Sequence, residues 1–146
     1  KVMKHVQWYA QFFSAVTCNQ VCMWYLVSMS EGVYNFQRVF NLKMGFGRRE
    51  HDSIPYRAVG PVTADEYESR QERYDTQLVE KHKVDIKDMS TEEKVTLLRE
   101  FRESMYEKLK DAVYERRGWT NDGIPTVETV KRLGIDFPEV LDLLKS

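Results

Sequence analysis

Hydrophobic positions recur at three- and four-residue spacing along most of the chain, and no segment alternates with period two long enough to make a strand. From residue 1 to about 29, Val6, Tyr9, Phe13 and Val16 trace a helical stripe that Trp8 and Phe12 widen. A helix this apolar is expected to be buried on most sides. Ser30-Glu31-Gly32 reads as a break, followed by a second helix through VYNFQRVFNLKMGF with Val33, Phe36, Phe40 and Met44 on one face. Gly45, Gly47, Pro55, Gly60 and Pro61 then interrupt every period, so GFGRREHDSIPYRAVGP reads as loop.

Two capping boxes punctuate the next stretch. Thr63 with Glu66 opens a polar helix, ADEYESRQERYDTQLVEKH, whose thin apolar line through Tyr67, Tyr74 and Leu78 suggests a surface position. Ser90 with Glu93 opens the longest helix, to about Arg117, with a stripe of Val95, Leu98, Phe101, Met105, Leu109, Ala112 and Val113 that reads as a core-facing seam. Gly118 stands where a left-handed C-terminal cap belongs, after Arg116 and Arg117. WTNDGIP is a turn, and short helices are expected from about Thr126 to Leu133, stopped by Gly134, and from Pro138 to Leu144. The pattern predicts an all-α fold, an irregular helical domain of about five or six helices.

Composition narrows the function classes. The chain has 146 residues, 42% hydrophobic and 31% charged, with a net charge of −1. That profile suits one soluble domain able to bury roughly two thirds of its unfolded surface. A near-neutral balance argues against nucleic acid as a partner. No apolar run reaches the roughly 18 residues of a membrane span. With two cysteines there is no disulfide framework, which makes a reducing cytoplasm the default. The sequence opens KVMKHVQWYAQFF, without an initiator Met and with an amphipathic segment already under way. The expectation is a C-terminal fragment of a larger enzyme. A first helix exposing Trp8, Phe12, Phe13, Trp24 and Tyr25 would then leave an apolar patch, with self-association into a homo-oligomer as one consequence.

The two cysteines, Cys18 and Cys22, are four apart and would share one face of a continuous helix. Three intervening residues exclude a thioredoxin-type pair. A self-contained zinc site lacks partners, because His5, His51 and His82 are scattered without ligand spacing. Spacing alone leaves two readings: buried packing residues, or one thiolate of an iron–sulfur cluster whose other cysteines lie elsewhere. His51-Asp52 in a polar loop and the Gly-rich GFGRRE carry weaker signals, and Tyr67, Tyr74, Tyr106 and Tyr114 read as amphipathic packing residues. No general acid or base is assigned.

Two long stretches carry a family resemblance. In YERRGWTNDGIPTVETVKRLGI, the residues Arg117, Gly118, Trp119, Gly123, Pro125, Thr126, Leu133 and Gly134 fall in step with the closing segment of the tungsten-containing aldehyde ferredoxin oxidoreductase family. Upstream, Tyr34, Asn35, Phe40, Asn41, Gly45, Arg48, Asp52, Pro55 and Arg57 match an ordered run of the same family. That family places an Asp-x-x-Gly-Leu-Cys segment just before the Tyr-Asn run. Its Cys is the fourth thiolate of a [4Fe–4S] cluster, and its backbone lies against a pyranopterin.

By that register the resemblance implies Cys22 as the metal ligand and Thr17, Asn19, Gln20 and Val21 as cofactor-binding positions. Cys18 becomes a variable site. Thr17, Gln20 and Val21 depart from the family's Asp, Gly and Leu. Residues 1–146 would form a C-terminal helical domain, with a cofactor-proximal segment 1–60 and outer scaffold helices 61–146. AVGPVTADEYESRQERYD looks more like the catalytic subunit of class II benzoyl-CoA reductase, which reduces an aromatic acyl-CoA ring.

The resemblance implies a cytoplasmic oxidoreductase of anaerobic metabolism with tungsten bis-pyranopterin and a [4Fe–4S] cluster. Its partners would be the rest of its own chain and a ferredoxin-like electron carrier or electron-transfer subunit. The fragment alone would be inactive. The alternative from a different class is a non-catalytic helical interaction module with structural cysteines.

Overall fold

The computed structural model describes residues 2–145, and among them every regular element is helical. Helix α1 spans Val2–Thr17 and α2 spans Met23–Lys43. Short 3-10 turns at Arg49–Asp52 and Tyr56–Ala58 lead to α3 (Ala64–Glu68), α4 (Gln71–Thr76) and a π turn at Gln77–Lys81. Then come α5 (Thr91–Arg117), α6 (Val127–Arg132) and α7 (Pro138–Lys145). The all-α expectation holds, with seven α-helices rather than five or six. An isolated antiparallel bridge, Trp119 with Pro125, is the nearest approach to a sheet among the described residues. No described helix is long and apolar enough to cross a membrane.

The chain divides into two compact units. One comprises the residues up to His51 together with those from Tyr114 onward, and the other is Asp52–Val113.

In the first unit the helix break falls earlier than the hydrophobic pattern suggests. Residues 18–22 are non-helical, and α2 runs unbroken through Ser30-Glu31-Gly32. Side chains explain both outcomes. Ser30 Oγ donates back to Leu26 O at 2.9 Å, and Glu31 pairs with Arg132 of α6 at 2.7 Å. That hydrogen bond, followed by the nearby cation, holds the Glu31 carboxyl below its ordinary value. Gly32 is buried, and a Cβ added there would meet the Leu133 carbonyl oxygen at an ordinary 3.9 Å. Gly32→Ala is therefore expected to stabilise the fold by about 0.5–1 kcal/mol in a denaturant titration. Loss of stability on that substitution would mean that the helix needs the space.

The core of this unit is Val39, Val130 and Val140, with Ile135 and the leucines of α7 packed around it. Thr126 caps α6, its hydroxyl accepting the Thr129 N–H at 3.2 Å, and Gly118 ends α5 with φ +67° as the capping pattern requires.

In the second unit both capping boxes form. Ser90 and Glu93 exchange side chain-to-amide bonds of 3.2 and 2.7 Å at the start of α5. Thr63 Oγ1 accepts the Glu66 amide, while Glu66 reaches one residue further back, to the Val62 amide, and pairs with Arg57. The polar segment after Thr63 is three pieces, not one helix. Ser69 Oγ turns back to donate to Glu66 O, one of the local bonds that compete with helix continuation. Its thin apolar line is core: Tyr67, Tyr74 and Leu78 pack with Val95 and Leu98.

The long seam of α5 is core-facing in its first half alone. Val95 and Leu98 are buried and Phe101 half-buried, whereas Met105, Leu109 and Val113 are 58%, 61% and 38% exposed. The clustered side chains of the second unit engage Val95 to Phe101, so the rest of the stripe lies open.

Candidate functional site

The segment joining α1 to α2 carries every residue assigned to cofactor or metal. Thr17 is the last residue of α1, and its hydroxyl donates to Phe13 O at 2.7 Å. Cys18 follows with φ +55°, a left-handed conformation uncommon for a residue with a Cβ. Asn19 and Gln20 are exposed. Val21 is half-buried, and its amide donates to Ser14 Oγ at 3.0 Å. Cys22 is the N-cap of α2 with extended backbone (φ −84°, ψ 163°), and its carbonyl accepts the Leu26 amide at 3.1 Å.

This arrangement separates the cysteines that spacing had made equivalent. They do not share a helical face, because the helix ends between Thr17 and Cys18. Both are free thiols and both are exposed, so neither packs into a core among the described residues. Cys22 alone stands at a helix N-terminus, where unpaired backbone amides favour negative charge, and no acidic residue occupies the first turn of α2.

The chain cannot complete a metal site by itself within the described residues. No three His, Cys, Asp or Glu side chains gather closely enough to hold an ion. His5 packs edge-on to Trp8, His51 lies beside Phe46 and Glu50, and His82 stacks on Phe101. The donor set on this segment is two exposed thiols, Cys18 and Cys22, so it could give a cluster single thiolates whose partners lie elsewhere. The exposed Asn19 and Gln20 amides fit a polar ligand better than Thr17 and Val21 do. The hydroxyl proton of Thr17 and the amide of Val21 are both already engaged.

Cys22 lies on the rim of a groove of about 670 Å³ beside α1. Lys4, Gln7, Gln11 and Ser14 line it from the helix, and Gln20 from the loop. These helix positions form a polar stripe of their own (4, 7, 11, 14) at the spacing of one helical face. That stripe was visible in the sequence, but the stronger aromatic stripe of α1 masked it. A second, apolar groove of about 630 Å³ runs along α1 and α2, lined by Val6, Tyr9, Phe12, Phe13, Leu26 and Val27. Around it Trp8, Phe12, Trp24 and Tyr25 are 44%, 68%, 67% and 56% exposed, so the first helix is not buried on most sides.

Those parts of the two resemblance-bearing stretches that belong to the first unit meet in space. Trp119 Nε1 donates to the fully buried Asn35 Oδ1 at 2.6 Å, and Asn35 Nδ2 donates to Glu31 O at 2.9 Å. Tyr34 stacks on Trp119 with centroids 5.9 Å apart, and the Arg117 guanidinium lies 3.9 Å over Tyr34. Arg38 lies over Trp119 and donates from Nε to Gly123 O at 2.9 Å. Gly123 has φ +76°, and a Cβ there would fall 2.3 Å from Arg38 Nη2, so glycine is required on two counts. Arg49 joins through its amide to Asp122 O and through Nη1 to Asn121 O.

These residues fasten the middle of α2 to the chain after α5, chiefly through the Trp119–Asn35 and Arg38–Gly123 hydrogen bonds. Cys22 and Asn35 are thirteen positions apart along α2, about 20 Å at helical rise. The motif is the anchorage of the helix that presents the thiol, not a reactive centre.

A family model described as aldehyde ferredoxin oxidoreductase, domains 2 & 3, matches residues 1–135. No curated protein and no solved structure gives a significant match to the chain.

Proposed function

The chain belongs to the aldehyde ferredoxin oxidoreductase family, and on that premise we propose that it supplies one thiolate, Cys22, to the [4Fe–4S] cluster of a tungsten bis-pyranopterin oxidoreductase. Membership makes it part of an oxidoreductase, in a family that binds a pterin–metal cofactor and an iron–sulfur cluster. The observation that carries the assignment is the Cys22 thiol itself: exposed, free, and at the N-cap of a 21-residue helix, lining a groove of mixed polar and apolar side chains.

In this reading Cys22 holds one corner of the cluster, and the positive end of α2 offsets the negative charge of the ligated thiolate. The Asn19 and Gln20 side chains offer amide donors and acceptors to the pterin, Thr17 offers its remaining lone pairs, and Val21 contributes its carbonyl and side chain. The cofactors, when bound, supply the electron transfer that no side chain can carry out. The chain's own contribution is to place the thiol. The exposed aromatics of α1 and α2 then cover surface that the rest of the protein packs against.

For the substrate, the likeness of residues 58–75 to class II benzoyl-CoA reductase favours an aromatic acyl-CoA over a simple aldehyde, with a ferredoxin-like protein or electron-transfer subunit as the electron source. The setting is the cytoplasm of an anaerobe. The test is the full-length protein purified without air. The expected result is tungsten, pterin and about four irons per chain, with turnover of an aromatic acyl-CoA by a low-potential donor. Turnover of aldehydes alone would retain the oxidoreductase and overturn the acyl-CoA assignment. A colourless protein free of tungsten and iron would overturn the whole reading and favour the interaction module.

A further inference from the structure

We infer that Ser14 is the positioning residue for Cys22, an inference that rests on the cluster-ligand reading above. Ser14 lies on α1 one turn before the helix ends, half-buried and lining the same groove as Cys22. Its hydroxyl donates to Ala10 O at 2.8 Å, and the same oxygen accepts the Val21 N–H at 3.0 Å. A serine hydroxyl has one proton and two lone pairs, so both bonds form together. The Val21 carbonyl, at 3.5 Å, would need the proton that Ala10 already takes. The side chain thus ties the Gln20–Val21 peptide, one residue short of Cys22, to α1.

The intervening residues do little to fix themselves. Asn19 and Gln20 are exposed, and Cys18 sits in the left-handed region, at a cost of roughly 1–2 kcal/mol for a non-glycine residue. A loop held in an unfavourable conformation needs an external tie. Ser14 provides one next to the thiol, and Ala10, the buried residue of α1, lies directly beneath that contact. Serine is a poorer helix former than alanine, so Ser14 is not there for the sake of α1. Ligand placement within about 0.5 Å is what a metal site demands of its supporting residues.

The test pairs two substitutions and two readouts. In the chain, Ser14→Ala is expected to speed amide hydrogen exchange at Val21 by about fivefold to tenfold, the worth of one such hydrogen bond. Exchange in α5 should stay unchanged, which shows that the variant folds. Ser14→Thr keeps the hydroxyl and should restore the wild-type rate. In the full-length protein, Ser14→Ala is expected to retain iron while altering the electron paramagnetic resonance line shape and midpoint potential of the reduced cluster, and Ser14→Thr to restore both. If Cys22→Ser removes iron but Ser14→Ala leaves Val21 exchange and the cluster spectrum untouched, the positioning role is overturned alone. If Cys22→Ser retains all its iron, the ligand reading fails and this inference fails with it.

Discussion

Trp119→Ala is expected to cost about 3–5 kcal/mol, the usual penalty for deleting a buried aromatic ring, and to lower the thermal midpoint by about 10 °C. The indole is 7% exposed and joins three contacts. It stacks on Tyr34, lies under the Arg38 guanidinium 4.7 Å from its centroid, and donates to Asn35. Removing it leaves Asn35 Oδ1 buried without its donor, and an orphaned buried acceptor costs about 1–3 kcal/mol by itself. Trp119→Phe separates the two effects. Its ring restores the stack but not the N–H, so a loss near the lower figure is expected. Circular dichroism melts of the three proteins decide the matter. A Trp119→Ala melt within 2 °C of wild type, against the roughly 10 °C expected, would mean that this cluster does not hold α2 in place.

The sequence made some of this legible and hid the rest, for identifiable reasons. Capping residues act within one turn, so Thr63, Ser90, Thr126 and Gly118 could be read from neighbours alone and stand where expected. The end of α1 could not. Ser30-Glu31-Gly32 looks like a break, yet the helix continues through it, with Glu31 paired to Arg132, a hundred residues away. The true break at Cys18 depends on Ser14 capturing an amide seven residues ahead, which no local propensity records.

Hydrophobic periodicity showed which face of a helix is apolar, but not whether anything covers it. The α5 stripe is core at Val95 and Leu98 and open at Met105 and Leu109. Family likeness supplied the proposed role of Cys22. The structure separates it from Cys18 on independent grounds, by backbone conformation and helix position. Of the residues of the likeness, Tyr34, Asn35, Arg117, Trp119 and Gly123 proved to anchor α2, a role that matching letters could not reveal.

Cys22→Ser is the second large effect. A serine hydroxyl replaces the thiolate almost isosterically, so α2 and its N-terminal turn should survive with little change in stability, because Cys22 makes no side-chain capping bond. Any loss is then a loss of ligation. Cys18→Ser is the matched control, equally exposed and four residues away, on a left-handed residue at the other end of the loop. The deciding measurement is iron per chain in the full-length protein, purified without air, for wild type and both variants. The account predicts about four irons in wild type and in Cys18→Ser, and a clear fall in Cys22→Ser. Equal loss from the two variants, or no loss from either, would contradict it.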